Sequence, residues 1–128
     1  MAMLLLRESN GCWIDLYAHR RFRGGSRRLY GAADFPLLRI QERGERSHAQ
    51  SVRVGPGAYV QCFAERAFHD TVFWLLPNEE VPDVAKLHVA ETVDSLRLWD
   101  RPPFAYEPGY AAYMLWAASH VARQQSKS

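Results

Sequence analysis

The densest run of side chains with chemical potential lies between His19 and Arg28, where Arg20, Arg21, Arg23, Arg27 and Arg28 surround Phe22. Arginine forks suit phosphates and carboxylates alike, so this run could hold a polyanion or an acidic protein surface. The plainer expectation is a solvated hairpin whose Arg23 and Arg27 pair with nearby acids. A nucleic-acid footprint needs a basic stripe across a domain, and here the charge is divided. Residues 1–56 carry ten arginines against five acids, residues 57–128 six bases against nine acids. Nucleic acid is therefore not the expected partner. The five histidines never fall four apart on a helical pattern or beside a cysteine, so no zinc motif forms. His69 and Asp70 could suggest part of a hydrolytic triad, but neighbours on a strand point to opposite faces. No nucleophile elbow, Walker loop or dinucleotide fingerprint is present. The sequence gives no catalytic residue, and the expectation is a protein that is not an enzyme.

Cys12 and Cys62 make neither a disulfide framework nor a metal motif. Both read as free thiols, with Cys62 buried beside Val60. The opening residues lack the basic region and length of an export signal, and no run is long enough for a transmembrane helix. These readings predict a soluble, cytoplasmic chain with no membrane partner.

The elements that must position these side chains are written twice. Gly11 to Phe22 reappears forty-six positions on as Gly57 to Phe68, with Ala18 and Ala64, Arg20 and Arg66, and Phe22 and Phe68 in step. Asp34, Phe35 and Pro36 match Glu80, Val81 and Pro82 at the same offset. Each copy ends on a Ser-x-Arg strand, Ser51–Gly55 and Ser95–Trp99. A period of this size marks a unit used twice, each copy too small to bury its own apolar face. Residues 13–17 and 59–63 alternate as half-buried strands, and residues 27–30 and 71–75 supply the next strands. Residues 36–48 and 77–90 read as longer connections broken by Pro36, Gly44, Pro77 and Pro82. Tyr17 and Phe22, like Phe63 and Phe68, can touch only if the hairpin between them folds back over the sheet. Gly24 and Gly25 would supply the positive φ for that fold in the first copy. Two strands, a third, a long connection and a fourth, done twice, amount to paired Greek keys in eight strands and two packed sheets.

This repeat resembles the βγ-crystallin superfamily. The resemblance rests on Tyr17, Phe22 and Gly24 followed by Ser51 to Val54, then on Phe63, Phe68 and Asp70 followed by Ser95 to Leu98. It covers about residues 11–100 and implies a two-Greek-key β-sandwich. Asp70 stands where the pattern has glycine. Many microbial members bind two calcium ions through a loop reading Asn/Asp-Asn/Asp-x-x-Ser/Thr-Ser before the Ser-x-Arg strand. Calcium takes six to eight oxygen ligands, several of them carboxylates. The first loop, Arg46 to Ser51, has no carboxylate and keeps only Ser51. The second keeps Glu91, Asp94 and Ser95 in altered order. The resemblance thus implies a lost first site and a weak or lost second one, with no other cofactor.

Residues 108–124 change period and read as one helix of about fifteen residues, apolar over much of its circumference. Tyr113 and Trp116 are its candidate contact residues. It either covers its own sheet or reaches a second chain, giving an unknown protein partner or self-association.

The reading is therefore an all-β fold: two Greek key motifs forming a two-sheet β-sandwich, plus a C-terminal α-helix. Residues 1–103 form the domain, with Greek keys at about 11–56 and 57–100, and residues 104–128 form a linker and helix. Tyr17, Phe22, Gly24, Phe63 and Phe68 are structural aromatic corners. The expected function is non-enzymatic, structural or protein-interacting, with degenerate calcium loops. The alternatives are a calcium-binding stress protein of the same fold, or an inhibitor or toxin-like protein on it.

Overall fold

Apolar alternation becomes strand β1 (Trp13–His19), in which Ile14, Leu16 and Ala18 are buried and Trp13, Asp15 and Tyr17 are partly exposed. The computed structural model describes residues 11–69, 72–87, 93–105, 107, 110, 111, 113–115, 117 and 118. After β1 the chain makes a 3-10 turn at Arg20–Phe22 and continues as β2 (Arg23–Tyr30) and β3 (Ala33–Phe35). A short hairpin of β4 (Ile40–Glu42) and β5 (Glu45–Ser47) leads to β6 (Ser51–Val54). The second half repeats the plan with β7 (Tyr59–Phe63), a 3-10 turn at Arg66–Phe68, β8 (Val72–Leu75) and β9 (Glu80–Val81). A 3-10 turn at Val84–Leu87 precedes β10 (Ser95–Trp99).

Two four-stranded sheets run β2-β1-β6-β9 and β3-β10-β7-β8. Each sheet therefore takes three strands from one repeat and one from the other. β3 leaves the first repeat to pair with β10, setting Phe35 opposite Leu96 and Asp34 opposite Arg97. β9 returns the exchange against β6, with Val81 opposite Val52 and Glu80 opposite Arg53. An isolated bridge joins Ala49 to Val93, matching positions of the two copies, and so lies on the pseudo-two-fold axis that relates them.

Among the described residues there are ten strands where the repeat reading gave eight. The additional pair sits in the connection over residues 36–48 and turns at Arg43 (φ 50°) and Gly44 (φ 81°), two successive left-handed residues of the kind that close a tight hairpin. Buried Ile40 ties that hairpin to the core. The core itself gathers Ile14, Leu16, Val52 and Val54 from one sheet and Val60, Cys62, Leu96 and Leu98 from the other. Gly11 (φ 70°) holds the start of this core together: its carbonyl accepts from the Gly57 amide at 2.9 Å, and a Cβ there would come within 2.7 Å of the Pro56 ring.

Both cysteines are free and buried. Burial, helped by the charge of Asp100, pushes the Cys12 thiol up to about 11. Burial with Glu79 nearby pushes Cys62 higher still. Unfolded thiols ionise near 9, so the unfolded chain loses these protons first. The contribution is complete below pH 9 and shrinks as pH rises, for Cys12 across pH 9 to 11. Urea unfolding at stepped alkaline pH is expected to give a stability slope steeper than that of the Cys12→Ala/Cys62→Ala protein. Each thiol accounts for about 1.4 kcal/mol per pH unit, and equal slopes would refute the assignment.

Candidate functional site

The repeated feature that organises the surface is an aromatic corner closed by a buried serine. Tyr17 and Phe22 meet edge to face with centroids 5.6 Å apart, and Phe63 and Phe68 do so at 5.4 Å. The backbone turns through left-handed geometry at Arg21 and Phe22 (φ 59° and 61°) and at Ala67 and Phe68 (φ 59° and 60°). Gly24 is also left-handed (φ 81°), but the fold-back is made by the non-glycine pair just before it. The second corner forms with the same angles, whatever Asp70 contributes; Asp70 lies outside the described residues.

Such a turn needs external support, and each serine supplies it. The Ser51 hydroxyl donates to the His19 carbonyl at 2.6 Å and accepts from the Phe22 amide at 2.9 Å. Ser95 donates to the Glu65 carbonyl and accepts from the Phe68 amide at 3.1 Å. The exchanged strands add the other half of the clamp. The Arg21 amide donates to the Pro82 carbonyl and the Ala67 amide to the Pro36 carbonyl, at 2.8 and 2.7 Å. Above each corner lies the arginine of the Ser-x-Arg strand. Arg53 stacks 4.0 Å over the Phe22 ring and pairs with Glu80 at 3.8 Å; Arg97 stacks 4.3 Å over Phe68 and pairs with Asp34 at 3.6 Å. The sequence pointed to the Ser-x-Arg strands without assigning this role to their arginines. The matching Asp34 and Glu80 were the available signal.

The loop before β10 has a different environment. Asp94 Oδ1 accepts from His48 Nδ1 at 2.5 Å and from Arg39 at 3.4 Å, so two groups from the first repeat share this one carboxylate oxygen. Its counterpart before β6 is Gln50. Glu91 lies outside the described residues. Among the described residues no three or more His, Cys, Asp or Glu side chains converge on a common point. An open depression of about 530 Å³ between β3 and β10 is lined by Asp34, Arg97, Trp99, Asp100 and Arg101. Its two arginines face two aspartates, so it carries no net charge.

No family model matches the sequence, and no curated protein matches it significantly. Solved structures do. A domain from a study of the evolution of the eye-lens βγ-crystallin domain fold superposes with a TM-score of 0.57 at 20% identity, over 70% of this chain and 86% of that one. A βγ-crystallin domain from Clostridium beijerinckii gives 0.53 at 16% identity, over 69% and 98%. The fifth crystallin domain of the non-lens protein Absent in melanoma 1 gives 0.53 at 20% identity, over 70% and 89%. The fold is that of a βγ-crystallin domain. At these identities the likeness concerns architecture alone, and the exchanged strands and twin corners are that architecture.

The five arginines of the first hairpin are not gathered on one face. Arg28 sits opposite Asp15 on the outer face, bonds it through two nitrogens at 2.6 and 2.8 Å, and lies 3.8 Å over Trp13. The Asp15 carboxylate raises the Arg28 guanidinium above its ordinary value. Arg27 is opposite inward-facing Leu16 and donates to the Arg39 carbonyl at 3.5 Å. Arg20 approaches Asp83 at 3.8 Å. The acid partners thus go to Arg28 and Arg20, whereas Arg23 and Arg27 were the expected pair. Strand alternation decides the matter, because it sets Arg28 and not Arg27 beside Asp15.

Residues 110, 111, 113–115, 117 and 118 are helical. Tyr113 packs edge to face on Trp74 at 5.3 Å and on Tyr59 at 6.1 Å, so this segment covers the outer face of its own second sheet. Burial with Tyr59 beside it raises the Tyr113 phenol. Trp74 is fully buried there, and its indole N–H has no acceptor among the described residues. Arg101 braces the linker, bonding Glu107 at 2.7 and 3.1 Å and stacking 3.9 Å over Phe104. Met114 and Leu115 face solvent. Trp116 lies outside the described residues. No helix among the described residues is long and apolar enough to cross a membrane.

Proposed function

We propose that this chain is a non-enzymatic structural or protein-interaction module on the βγ-crystallin fold, with degenerate calcium loops. The observation that carries the reading is the state of Asp94. Its Oδ1 already accepts from His48 and Arg39, so a calcium ion would have to compete with both for this carboxylate and then find several more oxygens. Ser51 and Ser95 support the reading too, since both hydroxyls serve as donor and acceptor in the corners. Partner contact is assigned to the exposed surfaces: the arginine hairpin, and Met114 and Leu115 on the C-terminal helix, where an unknown protein or a second copy would bind.

Calorimetric titration with calcium tests the reading. The expected result is no binding heat at micromolar calcium and an unchanged unfolding temperature in millimolar calcium. A micromolar two-site isotherm would replace it with the calcium-binding alternative.

A further inference from the structure

The depression between β3 and β10 lies where the two repeats have diverged in chemistry. Aligned on Ser51 and Ser95, the first copy continues after its strand as Gly55, Pro56 and Gly57, and the second as Trp99, Asp100 and Arg101. At Gly55 the chain is packed tight, since a Cβ there would come within 2.7 Å of the Trp13 ring. In the second copy the surface opens into a hollow of about 530 Å³, a volume within the range that small-molecule sites occupy.

The walls of this hollow are held in place by the fold. Arg97 and Trp99 alternate with buried Leu96 and Leu98 and so stand on the outer face of the sheet. The Trp99 indole donates to Gln61 Oε1 at 3.3 Å and rests against Trp74 with centroids 5.9 Å apart, which orients its ring. Arg101, 5.5 Å from that ring, is tied back by Glu107. Arg97 makes no hydrogen bond among the described residues: its Nε is buried without an acceptor, and the Asp34 carboxylate stands 3.6 Å off. Asp100 is exposed and makes no hydrogen bond or ion pair among the described residues.

These groups restrict what can bind. An anion would face Asp34 and Asp100, and a cation would face Arg97 and Arg101. An apolar molecule would strip water from four ionised groups without replacing it. A hydroxyl both donates and accepts, so neighbouring hydroxyls can donate to the aspartates and accept from Arg97 while adding no charge. We propose that this depression binds a neutral saccharide, its hydroxyls held between Asp34, Asp100 and Arg97 and a C–H face of its ring laid on the Trp99 indole. A saccharide carries adjacent hydroxyls and an apolar ring face together, whereas a peptide amide has its donor and acceptor on opposite sides. No residue of the calcium loops takes part, so the assignment is independent of the calcium reading.

NMR of the nitrogen-15-labelled full chain tests this, with cellotriose, maltotriose, mannotriose and chitotriose as probes at millimolar concentration. Sodium acetate and methylguanidinium chloride are the charged comparisons. At least one saccharide is expected to shift the Trp99 indole N–H and the Asp100 and Arg101 amides saturably, and neither charged probe to do so. Asp100→Ala, whose side chain has no bonded partner to lose, should keep the unfolding midpoint and weaken that binding about tenfold by removing a charged acceptor. Trp99→Ala should abolish it; where that variant also disturbs the fold, Asp100→Ala decides. No saccharide shift, shifts confined to residues outside the depression, or unchanged affinity in Asp100→Ala would overturn the proposal. So would either charged probe binding more tightly than every saccharide.

Discussion

Fragments 1–56 and 57–128, expressed separately, stay unfolded, and mixing them restores a cooperatively folding sandwich. Each sheet borrows a strand, so neither half contains a complete one: cutting the chain removes β9 from β6 and β3 from β10. What remains is three strands around Ile14, Leu16 and Val52, or around Val60, Leu96 and Leu98, with one apolar face open to water. Pieces of 56 and 72 residues, each lacking one strand of its sheet, bury too little surface to meet their chain-entropy cost, since even a complete 60-residue domain buries only about 60% of what it exposes unfolded. Burying the shared face is worth about 25 cal/mol per Å² and becomes available only on association. The reciprocal carbonyl bonds from Pro36 and Pro82, and the Ala49–Val93 bridge, then close across the cut. Amide-resolved NMR is the measurement. Dispersed peaks and a cooperative melt from either fragment alone would show that the halves are autonomous.

This dependence was only partly visible in the sequence. Duplication could be read because matching residues answer the same local demands: Phe22 and Phe68 must turn back onto Tyr17 and Phe63, and Ser51 and Ser95 must sit where those turns need support. Asp34–Pro36 and Glu80–Val81–Pro82 stood out as matched, but nothing local says that each crosses to the opposite sheet. That placement is a property of two copies around an axis, and a linear repeat does not state it. The hairpin at Arg43 and Gly44 escaped notice for the opposite reason. Among the described residues the matching connection of the second copy carries a 3-10 turn at Val84–Leu87, and a reading led by the repeat discounts what the repeat does not announce. The contact of Arg39 and His48 with Asp94 joins residues 55 and 46 positions apart through the axis region, and sequence spacing carried no signal for it.

Ser51→Ala is expected to cost about 2–3 kcal/mol in urea unfolding, and Ser95→Ala about the same. Each hydroxyl is fully buried and serves two backbone groups of a turn that left-handed non-glycine residues already strain. Alanine removes the acceptor for the Phe22 or Phe68 amide and the donor to the His19 or Glu65 carbonyl. The methyl group offers neither, and no water fits in its place without widening the corner. A buried polar group left unpaired costs about 1–3 kcal/mol, and each substitution takes this partner from one amide and one carbonyl. The loss should reach the rings as well: with the turn loosened, Phe22 leaves the Tyr17 edge and Arg53 loses its stacking partner, so near-ultraviolet dichroism falls in the native baseline. Ser47→Ala makes the control, because that hydroxyl makes only a 3.5 Å contact with the Ile40 carbonyl from a half-buried site; it should change stability by less than about 0.5 kcal/mol. If all three variants unfold at the same midpoint, the serines do not hold the corners. If Ser51→Ala alone is costly, the two repeats bear load unequally despite matching geometry. Equal large losses at Ser51 and Ser95, with Ser47 silent, are what two copies of one clamp require.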